Sequence, residues 1–264
     1  MNKDEMRALR AQYAYPPGCL KPTMQEDAKV HVLGSLRLHV VSPTTAEWAR
    51  AEVRARHSSV GLDQFHTGLL LSDDAEDQQH GLLSCVTWGF ISGTDLLIRP
   101  ERAFGKAGSL LEGAGARRPP QRPEEVRALL DTARRAARDG NLATAVRACL
   151  RIKFIGPAFA TKLVMMMRPD IAAVLDSVIN ERLLDHADPE LLAIHGPMDT
   201  LPSARARERF VARYLQWCSW CTRQAQALNA EGSTWPDWDG VEHRWRAVDV
   251  ERAFFAMGRP ARND

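Results

Sequence analysis

Two features of this 264-residue chain carry chemistry: a lone carboxylate and a tight turn twenty residues before it. The carboxylate is Asp176, set in the apolar frame Val174-Leu175-Asp176-Ser177-Val178-Ile179. The turn is Ile155-Gly156-Pro157. Glycine lets a partner approach the backbone closely, and proline suits the first position of a helix because its missing N–H has no partner there anyway. A helix starting at Pro157 would present the N–H groups of Gly156, Ala158 and Phe159, with the positive end of its dipole, to a phosphate oxygen. Asp176 has two readings. An aspartate caps a helix that starts after it. A carboxylate beside a phosphate-binding turn can also attack or stabilise an electron-poor centre on a nucleotide.

The elements that must position these groups follow from local signals. One helix covers Leu142 to Ile152 and ends near Lys153, and a second runs from Pro157 to about Met167, so the stretch reads helix, hairpin, helix. A third starts after Asp176 and runs to about Asp185. The approach to the hairpin is basic: Arg117, Arg118, Arg122, Arg127, Arg134, Arg135, Arg138, Arg147, Arg151 and Lys153 face only Glu124, Glu125, Asp131 and Asp139. Such a stretch suits a DNA backbone, or is the solvated face of Arg-rich helices.

The run Gly156-Pro157-Ala158-Phe159-Ala160-Thr161-Lys162, with the later Leu175-Asp176 pair, resembles the helix-hairpin-helix DNA glycosylase superfamily, and within it a bacterial 8-oxoguanine-glycosylase-like branch. Val86-Thr87-Trp88-Gly89-Phe90 is similar to an aromatic-Gly step of that branch, and the stretch from Trp245 to Gly258 to its closing helix, so the resemblance spans about residues 80 to 258. It implies an all-α, two-lobed helical fold. It implies a hairpin gripping DNA through Ile155, Gly156, Ala158 and Phe159, aided by Lys153 and Arg151, with Asp176 catalytic. The chain departs from the commoner motif in two places: Phe154 stands where the hairpin's first Gly is usual, and Ala158 where bifunctional members carry a nucleophilic Lys. Phe159-Ala160-Thr161-Lys162-Leu163 resembles an archaeal run with a catalytic Lys, which keeps Lys162 as a second candidate. Trp88 and Phe90 either line a base pocket or pack in the core.

The implied activity is flipping a modified base out of double-stranded DNA and hydrolysing its N-glycosidic bond, by a monofunctional enzyme. The base is an oxidised purine in repair, or glucosylated hydroxymethylcytosine in defence against phage. The alternatives are a helix-hairpin-helix protein that binds DNA without cutting it, and a helical interaction protein without a DNA role. No cofactor is expected beyond a monovalent cation at the hairpin.

Composition agrees with helix: 45% hydrophobic residues, 7% aromatic, and abundant Ala, Arg and Leu. The net charge of +2 makes local distribution, not the total, decide any steering. No Walker loop, His-Glu-x-x-His or Gly-x-Ser-x-Gly pattern occurs. Of five cysteines, Cys218 and Cys221 have metal-like spacing, but no cysteine follows them and the surrounding segment reads as helix, so no metal is expected. A cytoplasmic monomer without a membrane span is expected.

Along the rest of the chain, helices are expected at Asp4 to Gln12, Thr45 to Arg56, from a Ser72 or Asp73 cap to Trp88, and after Pro123. Val30 to Val41 fits either period and is assigned to helix. Gly89 to Gly93 reads as a turn and residues 105 to 122 as a linker. This places an N-terminal helical region at 1–116 and the helix-hairpin-helix core at 117–264. A short helix at Pro189, a long one from a Ser203 cap to Asn229, a loop at Trp235 to Gly240 and a last helix from His243 to Gly258 complete the reading.

Overall fold

A computed structural model describes residues 2–13, 30–33, 36–39, 58–91, 100–198 and 201–257. It is predominantly helical, with eleven α-helices and two short antiparallel ribbons among the described residues. Helix α1 covers Lys3–Gln12, α2 Ser59–Leu71, α3 Ala75–Ile91 and α4 Pro100–Glu112. The central region holds α5 at Pro123–Arg138, α6 at Leu142–Cys149 and α7 at Pro157–Met167. Then come α8 at Ser177–Arg182 with a 3₁₀ turn at Leu183–Asp185, α9 at Pro189–Ile194, α10 at Ala204–Ala230 and α11 at Ala247–Ala256. No helix among them is long and apolar enough to cross a membrane.

Helix α7 lies at the centre. Its segment Leu163 to Met167 is fully buried, and α2, α3, α5 and α6 pack around it. Each such side chain contributes about 1.5–3 kcal/mol on leaving water. One apolar cluster runs from Met6 to Phe254 and includes residues on both sides of the 116/117 boundary.

Several expectations are corrected. The described residues of the Val30 to Val41 stretch are not helix: β1 (Val30–Leu33) pairs antiparallel with β2 (Leu36–His39), Val30 opposite His39 and Leu33 opposite Leu36. The alternation of Val30 and Val32 and the two intervening residues Gly34-Ser35 are the hairpin signal that outweighs the helical neighbourhood. Residues 59–71, to which the sequence assigns no element, are helix α2, capped by Ser58 Oγ on Gly61 N. The cap of α3 is Asp74, whose carboxylate accepts from Glu76 N and Asp77 N, in place of Ser72 or Asp73. Gly89 is no turn but an interior residue of α3. The linker shrinks, since α4 persists to Glu112. Trp235–Pro236 (β3) pairs with Glu242–His243 (β4), so the last helix starts only at Ala247. The helix expected at Thr45 to Arg56 lies outside the described residues.

The two ends of the chain meet in a buried ionic network. Asp63 on α2 accepts two bonds from Arg252 (2.8 and 2.6 Å) and one from Arg246 (2.8 Å). Asp249 accepts from Arg246 and from Arg10 of α1 (3.2 Å). Arg10 also donates to Ser59 Oγ and stacks 3.7 Å from the Trp235 ring centroid. Removing one partner from such a network leaves an uncompensated buried charge, which costs about 3–5 kcal/mol.

Candidate functional site

The hairpin between α6 and α7 leads directly into the N-terminus of α7. Pro157 occupies the first turn of α7, and Gly156 is its N-cap with no side-chain cap. Gly156 has an ordinary φ of −89°, and a Cβ added there would meet nothing within 4 Å. Nothing among the described residues crowds this position, so glycine here leaves the backbone open. Phe154 has φ of 67°, the one non-glycine in the left-handed region among the described residues. It adopts the conformation that a glycine would supply, at a cost of about 1–3 kcal/mol. Ile155 is buried, Ala158 and Phe159 are partly exposed, and Arg151, Lys153 and Gly156 are exposed.

From α7 the chain turns back to Asp176 through residues 168–175, which are held from three sides. Thr161 Oγ1 donates to Leu175 O (3.1 Å) and accepts from Leu175 N (3.2 Å). Trp217 Nε1 of α10 donates to Val174 O at 2.8 Å. The first amides of α11, Ala247 N and Val248 N, donate to the carbonyls of Asp170 and Pro169. This clamp delivers Asp176 to the N-terminus of α8, where Oδ1 accepts from Ile179 N at 3.1 Å.

The other carboxylate oxygen meets Lys162. Nζ donates to Asp176 Oδ2 at 2.9 Å, with the side chains 12% and 16% exposed. Asp176 therefore caps a helix and also forms a nearly buried ion pair. Burial alone would raise its pKa, but the charge and hydrogen bond of Lys162 and the amides of Ile179 and Val178 outweigh it and hold the carboxyl below its usual range.

Gly89 explains part of this geometry. A Cβ there would lie 2.6 Å from Phe159 Cε1 and 3.2 Å from Lys162 Cδ. The bare backbone of α3 is what lets these two side chains of α7 lie against it, with Lys162 Nζ 5.7 Å from the Phe159 ring centroid. Trp88, next to it, is 3% exposed and belongs to the apolar core, so it offers no open face to a base. The side chain of Phe90 lies outside the described residues.

Sequence reasoning missed a second carboxylic acid. Glu251 of α11 is 4% exposed and lies within electrostatic reach of Asp176 and Lys162. Burial pushes its pKa up to about 8, with Arg252 pulling down, Asp176 pushing up and Lys162 pulling down. A carboxylate spaced two residues after Asp249 on a helix that packs against α8 was the available signal.

The basic approach separates into two sets. Arg122 pairs with Glu125, Arg134 with Asp73 and Asp131, Arg135 with Asp131, Arg138 with Asp73, and Arg147 with Glu208. Arg117, Arg118, Arg127, Arg151 and Lys153 form no ion pair among the described residues. Cys218 and Cys221 sit on the buried face of α10, where burial pushes the Cys218 thiol up to about 12. Asp237, Asp239 and His243 bring ligand atoms within 4.8 Å of one another, but Asp237 is engaged by Ser59 and Val60 and Asp239 by Val241 N. A shallow groove of about 530 Å³, lined by Asn141, Ile171, Leu215 and Thr222 among others, does not include Lys162 or Asp176.

The family model described as "Putative 8-oxoguanine DNA glycosylase OGG-like protein" matches residues 62–255, almost three-quarters of the chain. The match contains the hairpin, Lys162, Asp176, Glu251 and most of the helices that hold them. No curated protein and no solved structure gives a match.

Proposed function

Because the chain belongs to the OGG-like family of 8-oxoguanine DNA glycosylases, we propose that it flips a modified base from duplex DNA and hydrolyses its N-glycosidic bond with Asp176. The observation that carries this reading is the Lys162–Asp176 pair: a carboxylate kept ionised, nearly dry, one helical hairpin away from an outward-facing turn.

The chemistry follows from the charge. As the bond from C1′ to the base nitrogen breaks, its electrons leave with the base and positive charge builds on the sugar. A fixed carboxylate at that point stabilises the charge and orients a water, whose oxygen bonds C1′ while the proton it releases neutralises the departed nucleobase anion. The C1′ atom is hidden in the stack, so the nucleotide must be extruded first. The hairpin holds the backbone through the amides of Gly156 and Ala158, at the positive end of α7. The carbonyls of Lys153, Phe154 and Ile155 accept no hydrogen bond among the described residues. They would hold a monovalent cation, which would supply positive charge facing the phosphate.

Lys162 serves in this scheme as partner to the carboxylate. Its Nζ is committed to Asp176 Oδ2, and nucleophilic attack on C1′ would require it to leave that bond. The reading is therefore of a monofunctional hydrolase, with an oxidised purine as substrate class in keeping with the family description.

The test is base release from a panel of duplexes, each carrying one defined modified base, 8-oxoguanine and glucosylated hydroxymethylcytosine among them. Release of one base with an intact abasic strand as product is expected. Borohydride trapping of a covalent adduct would replace the hydrolytic scheme by one through Lys162. Failure to release any base, together with tight binding, would leave a DNA-binding protein without cleavage.

A further inference from the structure

We propose that Arg118 and Lys153 form a second phosphate-binding cluster, which holds the DNA backbone beside the hairpin and is distinct from the helix N-terminus at Gly156. The proposal rests on the reading of the chain as a DNA-binding glycosylase and adds to it a surface built from the loop 113–122 where it is latched to the hairpin.

That loop is a shaped element. Gly113 has φ of +84°, and a Cβ there would lie 2.6 Å from Arg118 O, so the turn closes only on glycine. Ala114 N donates to Arg118 O at 2.8 Å and Arg118 N to Gly115 O at 3.0 Å. The loop is then latched to the hairpin. Lys153 N donates to Gln121 Oε1 at 2.9 Å, and Lys153 Nζ donates to Pro119 O at 3.3 Å. The Arg118 guanidinium lies 5.6 Å from the Phe154 ring centroid. The left-handed backbone at Phe154 thus places an aromatic ring where the loop can rest a cation on it.

The charges converge without being neutralised. Neither Arg118 nor Lys153 has a carboxylate within ion-pair distance among the described residues. The nearby Glu125, whose carboxyl feels Lys153, is bonded by Arg122. Cations brought together this way repel one another in the free protein, and an anion relieves the repulsion. The contrast with Arg134, Arg135, Arg138 and Arg147, each matched to a carboxylate, marks this group as facing outward for a partner. A duplex phosphate is the anion that continuity with the hairpin selects.

The experiment measures the affinity for an unmodified duplex over a salt series, so that no excision is needed. The slope of log K against log salt falls by about 0.9 for each phosphate that the protein ceases to neutralise. Arg118→Ala and Lys153→Gln are each expected to flatten the slope by about that amount and weaken binding equally for all sequences. Arg118→Lys, which keeps the charge, should keep the slope, and Arg135→Ala, a paired arginine, should leave it unchanged. Thermal melts confirm that each variant is folded. If the native chain binds with a steep slope that neither Arg118→Ala nor Lys153→Gln changes, the cluster is refuted while the DNA reading stands. If the native chain shows no salt-dependent binding at all, both fall.

Discussion

Asp176→Asn separates the two tasks that one carboxylate performs. Asparagine caps helices as well as aspartate does, so Oδ1 can still accept from Ile179 N and α8 keeps its start. What disappears is the negative charge facing Lys162. Removing one partner of a fully buried pair costs about 3–5 kcal/mol. At 12% and 16% exposure the stranded ammonium keeps some water, so a loss of about 1–3 kcal/mol is expected. For a chain of this size each kcal/mol corresponds to roughly 2–4 °C in Tm. Asp176→Ala should lose about 1 kcal/mol more, because the cap goes as well. On the catalytic side, the loss of a preorganised charge at the reacting sugar should slow base release by at least on the order of 10²-fold. The assay is single-turnover release of the excised base, with Tm and helix content measured on the same samples. If Asp176→Asn folds normally and releases base within about threefold of the native rate, Asp176 is a helix cap and the chemistry assigned to it is wrong.

Lys162→Met removes the charge that opposes burial at Asp176. The folded carboxyl is now held low, so its stabilising contribution is present above the ordinary carboxyl range and lost as pH falls through the folded value. In the variant that pKa rises, and the acid limb of the pH–rate profile should move upward; an unmoved limb would show that Lys162 does not set the ionisation. Gly156→Ala should change Tm by less than about 1 kcal/mol equivalent, the difference between two N-caps, yet weaken duplex binding severalfold; unchanged binding would exclude close approach at the turn. Glu251 is shifted the other way, up to about 8. The folded state there holds a proton that the unfolded state gives up above about 4.5, so stability declines as pH rises from that value through about 8. Glu251→Gln cannot ionise and should abolish this decline in Tm between pH 5 and 9; an equal decline in both proteins would place Glu251 outside the titration.

The local grammar of the site was legible because each signal is short-ranged. Pro157 after Gly156 marks the start of α7, and Asp176 before an apolar helical run marks the start of α8. Twenty residues between them suffice for one helix and a return strand of backbone, which is what Thr161 and Trp217 pin down. The Lys162–Asp176 contact was not derivable, since it depends on how that return passes α7. The same holds for Gly89, whose role lies in a neighbour seventy residues away in sequence, Phe159. Val30 to Val41 went wrong because its apolar residues satisfy both periods and only the Gly34-Ser35 break separates them. The basic approach read as one surface, but carboxylates brought in from α5 itself, the α2–α3 turn and α10 occupy half of it. Charge counted along a chain says nothing of the partners that folding supplies. The Arg10–Asp249 and Asp63–Arg252 pairs illustrate the extreme: each joins residues too far apart in sequence for a local pattern to register.

The Arg10–Asp249 contact joins positions 239 residues apart. Among the described helices α1 is made first, and the helix it packs against most, α11, is made last. Trp235, which lies under Arg10, and Asp249 are supplied at the end. Closing so long a span costs chain entropy that local helices do not, so the ends are expected to dock last, after the α5–α6–α7 unit has formed from near neighbours. The ionic joint is therefore a lock set at the end of folding. A chain that stalls before residue 249 lacks both Asp249 and Arg252, so Arg10 loses its Asp249 contact and Asp63 its two bonds from Arg252, which keeps the intermediate open to proteolysis until the last helix arrives.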